Sequence, residues 1–276
     1  RMLSLEECLR SADECPAPIV TITGGEPLLY PEIIELVAGI LARGKHIQFC
    51  TNALLLTEFL PQLPAHKNLT LNIHLDGLEE THDRILGHTG AFRSALDAIT
   101  AAKRLGFRVC TNTTVFRDTD LLEIELLFSK LTELGVDGIL VAPGFDYAAV
   151  GEEIFLVKRD IELKFREIYT MSQRFRFWST PMYLRFLKGE KSLQCTPWGN
   201  PTRNPLGWKA PCYLITDGHY PTYRLMMENT DWERYGVGRD QRCSQCMMHC
   251  GFEPTVVNEI GKSWRDMVEM AIWNLT

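Results

Sequence analysis

The sequence predicts an α/β fold: a parallel barrel, closed or partial, followed by a small cysteine-rich domain. Three observations carry that reading. Short apolar, β-branched runs alternate with helical patterns through the first half of the chain. Glycines follow the helical runs where a left-handed cap is needed. Past Gly144 the alternation stops, and Pro, Gly, Trp and Cys accumulate between Lys191 and Pro254.

Ser4–Glu14 reads as a helix, with Ser4 as N-cap and Glu7 three residues on in a capping-box pattern. Pro18–Thr23 reads as a buried strand. Pro31–Ala42 is helical, with Pro31 suited to a first helical position and Gly44 just beyond the end. Strands follow at His46–Thr51, Leu69–Leu75, Arg108–Val115 and Gly138–Ala142. Helices at Ala91–Leu105 and Leu121–Leu134 are followed by Gly106 and Gly135. Strands alternating with helices imply parallel pairing. The chain opens on a helix, so the barrel reading expects a strand ahead of it. The Lys191–Pro254 composition suits a small domain organised by a metal, and helical pattern resumes near Ser263. The expected domains are a barrel over residues 1–190 and a cysteine-rich domain over 191–276.

The bulk numbers exclude some function classes. The 276 residues are 45% hydrophobic and 23% charged, as in ordinary globular proteins. A net charge of −6 leaves no basic footprint, so no nucleic-acid partner is expected. No apolar run approaches the ~18–20 residues of a membrane-spanning helix. With no signal peptide ahead of the nine cysteines, a reducing cytoplasm is the expected compartment.

Five of those cysteines, Cys195, Cys212, Cys243, Cys246 and Cys250, are spaced C-x16-C-x30-C-x2-C-x3-C. In a reducing compartment such a cluster points to a metal site rather than disulfides. Thiolates suit zinc or an iron–sulfur cluster, and spacing alone leaves both open.

Gly24-Gly25-Glu26-Pro27 follows the first strand directly. A tight turn explains the glycine pair, but the carboxylate beyond it can accept hydrogen bonds from an ammonium group. Cys50 ends a strand beside Thr51 and Asn52, and barrel sites form at that end. Packing as a small hydrophobe is its bland role, and it suffices for Cys110 in a strand and for Cys8 and Cys15 in the first helix. His74 and Asp76 form a polar pair at another strand end, before Gly77. Phe145, Tyr147, Phe177, Trp178, Tyr183, Trp198 and Trp208 read mostly as core, with some free to line an apolar channel.

Gly24-Gly25-Glu26-Pro27-Leu28 after a strand resembles the radical S-adenosyl-L-methionine (SAM) superfamily. The resemblance implies a partial (β/α)6 TIM-type barrel, SAM, and a SAM-ligating [4Fe–4S] cluster. It implies SAM contacts at Gly24, Gly25, Glu26, Pro27, Thr51, Asn52, His74, Asp76, Asn112 and Thr114. Within the superfamily, Phe49–Leu56, His74–Gly77, Cys195–Arg203, Pro211–Leu214 and Thr230–Trp232 are similar to the adenosylhopane synthases of bacterial hopanoid biosynthesis. The superfamily's Cys-x3-Cys-x2-Cys motif is absent, and the expectation is that its loop lies outside this sequence. Gly207 ahead of Cys212 and the Cys243–Cys246 pair resemble a twitch-like domain with an auxiliary [4Fe–4S] cluster on four of the five cysteines, Cys250 being the one left over.

The reaction so implied adds a 5′-deoxyadenosyl radical to the terminal alkene of diploptene, a triterpene, giving adenosylhopane. Cys50 is the candidate donor of the closing hydrogen atom. A flavodoxin or ferredoxin type of one-electron donor is implied, as is peripheral contact with the inner membrane, where the hydrocarbon resides. Two other readings stay open: a peptide-modifying or maturase-type radical SAM enzyme, and a non-catalytic barrel remnant holding structural zinc.

Overall fold

The computed structural model describes residues 2–145 and 154–275, so Tyr147 lies outside the described residues. The chain forms two compact units: residues 1–114 with 122–141, and residues 115–121 with 142–276. This division falls earlier than the boundary expected at 190.

The first unit begins with α1 (Leu5–Glu14), β1 (Ile19–Ile22), a 3-10 turn at Pro27–Leu29 and α2 (Ile33–Ala42). The predicted capping box is present: Glu7 N donates to Ser4 Oγ at 3.2 Å, and Ser4 N to Glu7 Oε2 at 2.9 Å. Cys15 is the C-cap of α1 rather than part of it. Then come β2 (His46–Thr51), α3 (Leu56–Phe59), β3 (Leu69–His74), α4 (Glu79–Leu86), α5 (Ala91–Arg104), β4 (Arg108–Val115), α6 (Leu121–Glu133) and β5 (Gly138–Pro143). The helices α3 and α4 are additions to the predicted set. α3 is a single turn, and α4 is so polar and short that its period is hidden.

The five strands lie in the order β1–β2–β3–β4–β5, and the first four pair in parallel. Alternation along each strand sorts the side chains. Ile47, Phe49, Leu69, Leu71, Ile73 and Val109 are fully buried. They share the apolar core with Val37 and Ile40 of α2, Ala98 and Ile99 of α5 and Leu127 and Phe128 of α6. The opposite face carries Gln48, Cys50, Thr70, Asn72, His74, Cys110 and Asn112. Register places Cys50 opposite Asn72, Asn72 opposite Cys110, and His74 opposite Asn112. This is a partial parallel barrel with a polar inner face.

The second unit contains α7 (Lys158–Met171), α8 (Pro181–Leu187), β6 (Thr202–Asn204), β7 (Gly207–Pro211), β8 (Thr216–Tyr220), α9 (Tyr223–Asn229), α10 (His249–Glu259) and α11 (Trp264–Leu275). β6, β7 and β8 form an antiparallel sheet in sequence order. A small antiparallel sheet thus forms part of the segment expected to be a small metal-organised domain. α10 was hidden by Pro254, which lies inside the helix.

The units divide early because α8 docks on α10. Phe186 stacks on Phe252 with centroids 4.3 Å apart, and the buried Tyr183 hydroxyl donates to Met247 O at 2.8 Å. The Glu253 carboxylate accepts from Thr180 N and Oγ1 at 3.0 and 2.6 Å. Phe177, Tyr183 and Trp208 are core residues as expected, whereas Trp198 is exposed and Trp178 intermediate.

An ion network ties α8 to α11. Arg185 pairs with Asp266, and with Glu269 at 3.0 Å, while Lys191 Nζ donates to Asp266 Oδ2 at 2.7 Å. Arg185 and Asp266 are both buried. Among the described residues, no helix is long and apolar enough to cross a membrane.

Burial opposes the charge on Asp266, but Lys191 and Arg185 outweigh it and hold the carboxyl below its ordinary value. Its contribution is therefore present above the unfolded-state value near ~3.9 and is lost as pH falls through the lower folded value. Asp266→Ala leaves Arg185 buried without its main counter-ion. A loss of about 3 kcal/mol or more is expected in urea unfolding at neutral pH. Asp266→Asn, which keeps the shape, should lose most of it too.

Candidate active site

β1 delivers the chain to Gly24 and Gly25, and a Cβ built on either would meet nothing within 4 Å. The backbone there is open to a ligand. Glu26 caps the following 3-10 turn. Its Oε1 accepts from Leu28 N at 3.0 Å and Thr51 Oγ1 at 2.9 Å, and its Oε2 accepts from Asn52 N at 2.9 Å. Three donors thus fix a carboxylate with about four acceptor positions, leaving capacity for one more N–H. Pro27 is buried at the start of the turn.

The β2–α3 turn is held just as tightly. Ala53 N donates to Thr51 Oγ1 and Leu54 N to Asn52 Oδ1, each at 3.0 Å. Ala53 has φ +65° and is buried. A non-glycine residue in that region costs on the order of 1 kcal/mol, so the surrounding bonds must enforce it. The buried Thr51 hydroxyl is engaged with Glu26 and Ala53, which makes Thr51 a support for Glu26.

At the next strand ends, Asp76 is nearly sealed, its side chain 1% exposed against 31% for His74. Asp76 Oδ1 accepts from Thr114 N at 2.7 Å, and Oδ2 meets His74 Nε2 at 2.7 Å. Burial disfavours charge on His74, but the Asp76 carboxylate outweighs it and raises the imidazole above its ordinary value. His82 was not anticipated from the sequence because α4 was not. Its Nδ1 accepts from Asp76 N at 3.3 Å, while its Nε2 is buried with no hydrogen-bond partner. Burial, with the neighbouring His74, lowers His82, so it stays neutral. Asn112 lies opposite His74 in the register, and its carbonyl accepts from Leu75 N at 2.9 Å.

Cys50 lies between these groups on the inner face, and Asn72 Nδ2 donates to its Sγ at 3.6 Å. Burial raises the thiol, opposed by Asn72 and reinforced by the nearby Glu26 charge. At neutral pH it keeps its hydrogen. The predicted residues of this unit thus fall at adjacent strand ends: Glu26 with Thr51 and Asn52, His74 with Asp76 and Thr114, and Cys50 on the same strand as Thr51.

The second unit gathers all five late cysteines. Cys195, Cys212, Cys243, Cys246 and Cys250 line one cavity of about 30 Å³. Burial, and then the neighbouring sulfurs, push Cys195 and Cys246 up to about 12 and Cys250 well above the ordinary thiol range. A Cβ on Gly251 would lie 2.5 Å from Cys195 Sγ, so only glycine admits that sulfur. Arg242 braces the wall, bonding Asp217 at 2.6 and 2.8 Å and Asp240 at 2.7 Å. Among the described residues, no three His, Cys, Asp or Glu side chains form a group suited to a single metal ion.

Residues 1–131 match the model of the Radical SAM superfamily, and residues 139–270 match a domain of unknown function (DUF3463). Residues 1–131 are thus similar to the radical SAM superfamily. The chain is 34% identical over 138 residues to an AdoMet-dependent heme synthase of Methanosarcina barkeri (strain Fusaro / DSM 804), covering 48% of this chain and 39% of that one. To the AdoMet-dependent heme synthase of Oleidesulfovibrio alaskensis it is 27% identical over 236 residues, 78% and 60% of the two chains. A GTP 3',8-cyclase of Marinobacter nauticus is 33% identical over 142 residues, 50% and 43% of the two chains. The chain spans less than half the length of the first relatives it matches.

Among solved structures, anSMEcpe with bound AdoMet matches 98% of this chain and 88% of its own, with TM-score 0.58 and 15% identity. Streptococcus suis SuiB matches 61% and 40%, with TM-score 0.53 and 20% identity. These likenesses establish the fold.

The match to this superfamily implies SAM and a [4Fe–4S] cluster. The residues present fit SAM: open glycine backbone beside a fixed carboxylate suits its ammonium group. They do not supply a Cys-x3-Cys-x2-Cys triad, which the 276 residues lack.

His74 gives a direct test of the strand-end pairing. Its raised value means the His74–Asp76 pair stabilises the fold fully below the unfolded-state value near ~6.5 and fades as pH rises through the folded one. NMR titration of the His74 ring should show a midpoint above ~6.5, and Asp76→Asn should move it below ~6.5, because burial then acts alone. For the carboxylate, Glu26→Gln replaces one accepting oxygen with an NH2 group, so at least one of the three donors faces another donor. Equilibrium dialysis of the cluster-loaded protein should show SAM affinity reduced about tenfold or more.

Proposed function

We propose that this chain is the SAM-holding part of a radical SAM transferase that joins a 5′-deoxyadenosyl group to a terminal alkene. The substrate we propose is diploptene and the product adenosylhopane, as in bacterial hopanoid biosynthesis. Support comes first from sequence: Phe49–Leu56, Cys195–Arg203 and Thr230–Trp232 are similar to adenosylhopane synthases. The observation that carries the chemistry is Cys50, a protonated thiol on the inner strand face, one residue from the Thr51–Asn52 support of Glu26.

Bound SAM would supply a 5′-deoxyadenosyl group as a radical on one-electron reduction. This chain's residues orient the cofactor and finish the product. Glu26 holds the ammonium end, and Gly24 and Gly25 let backbone approach it. Radical addition to the alkene forms one C–C bond and leaves a tertiary carbon radical. Cys50 gives that carbon a hydrogen atom, breaking the S–H bond and leaving a thiyl radical. A one-electron donor of the flavodoxin or ferredoxin type, with a proton from solvent, restores the thiol. Asn72 aims the sulfur.

We further propose a thiolate-bound auxiliary group in the five-cysteine cavity. Five soft donors around one cavity, without single-ion spacing, favour a [4Fe–4S] cluster over zinc. Four cysteines complete such a cluster, and the fully buried Cys250 is the one assigned as spare.

Incubation of the full-length, anaerobically reconstituted protein with SAM, reductant and diploptene should give a product of adenosylhopane mass. Cys50→Ala should lower that product by ~10²-fold or more while cleavage of SAM continues, as loss of a positioned hydrogen donor requires. Undiminished product removes Cys50 from the mechanism. Turnover of a tetrapyrrole or a peptide instead of the alkene moves the chain to another radical SAM reaction. Replacing Cys243 and Cys246 by Ala should remove four irons per protein, the content of one cubane; zinc as the lost metal would overturn the cluster assignment.

A further inference from the structure

The helix α11 turns an apolar face outward. Trp264 is 76% exposed, Val268 50%, Ile272 57% and Leu275 88%, and Met267 and Ala271 are exposed beside them. At 100° per residue these six side chains fill an arc of roughly 140°. The opposite side does the packing: Asp266 and Met270 are buried, and Trp273 Nε1 donates to Phe177 O at 3.0 Å. Single exposed apolar residues are ordinary, but a continuous row along a twelve-residue helix marks an interaction surface.

Charge and size identify the partner. Both acids of α11, Asp266 and Glu269, turn inward to Arg185. The charged groups left at its exposed start are Lys262 and Arg265, with side chains 69% and 68% exposed. Their counter-ions, Glu259 and Glu190, lie off the helix at 2.7 and 3.8 Å. An apolar stripe with an aromatic residue and cations at one end, and no outward carboxylate, complements lipid headgroups over acyl chains. The face is too small for a stable dimer. A helix of this length is about 18 Å long and presents a few hundred Å², against the ~800 Å² per partner of a stable interface.

We propose that α11 is a membrane-surface helix that rests this protein on a lipid bilayer through Trp264, Val268, Ile272 and Leu275. The helix lies in the plane of the interface, with its polar side still packed on α8. This inference stands on the surface of α11 and holds whatever substrate the first unit takes.

Flotation of the full-length protein with phosphatidylcholine vesicles tests it. The wild-type protein should rise with the vesicles. The double variant Val268→Gln, Leu275→Gln changes only exposed positions and should keep its unfolding curve while partitioning about tenfold more weakly. Quenching by brominated lipid should be strong in the wild type and reduced in Trp264→Phe, which still floats. Wild-type protein that stays in solution, or a double variant that floats equally well, overturns the proposal. So does a stable dimer on light scattering that the double variant breaks and vesicles do not displace; the face then belongs to a second copy.

Discussion

The register of β2 on β3 is the constraint on which the first unit depends. It pairs Cys50 with Asn72, and β3 in turn pairs His74 with Asn112. A slip of one residue would bring Phe49, Leu71 and Ile73 to the inner face and carry Cys50 and His74 into the apolar layer. Burial of those large side chains at ~25 cal/mol per Å² forbids the exchange. The polar inner face therefore exists because the outer face is so uniformly apolar. That is the usual logic of a parallel strand end, where a packed scaffold holds a few polar groups at its rim.

Once the rim is fixed, local hydrogen bonding refines it. Glu26 is the N-cap of a short 3-10 turn and also the acceptor for β2's exit. One carboxylate thereby joins two successive strand ends, and the positive φ of Ala53 records how closely the second must approach the first. The His74–Asp76 pair does the same for β3 and β4, because Thr114 N reaches back to Asp76. Glu26 and Asp76 thus each tie successive strand ends together, so a change at either loosens the rim at that point.

The second unit solves a different problem. Cys195, Cys243, Cys246 and Cys250 resist ionisation, since each loses solvent and gains sulfur neighbours. Neutral thiols tolerate that cavity, and deprotonation becomes favourable when a metal replaces the protons. The surrounding charges are placed accordingly: Arg242 clamps Asp217 and Asp240 beside Cys243, while Arg185 anchors α11 away from the cavity. Holding α11 by its acidic side is what leaves its apolar side facing outward.

Much of this was legible in the residues. Most helix ends, the Ser4–Glu7 box, the strand positions, Gly24–Pro27 and the grouping of Cys243, Cys246 and Cys250 are encoded within a few positions of each other, where capping, φ preference and periodicity act; α2 begins at Ile33 rather than Pro31, and β1 is largely exposed rather than buried. The short α4, with His82 on it, escaped for want of an apolar run, and α10 escaped because Pro254 contradicts the helix it sits in. Other features depend on residues far apart in sequence: the docking of α8 on α10 that moved the unit boundary, the arrival of Cys195 and Cys212 at the later cysteines, and the room Gly251 leaves for a sulfur. The local code determined which elements form and which residues can do chemistry; tertiary packing decided which of them meet, because burial is a property of the whole fold and not of any segment.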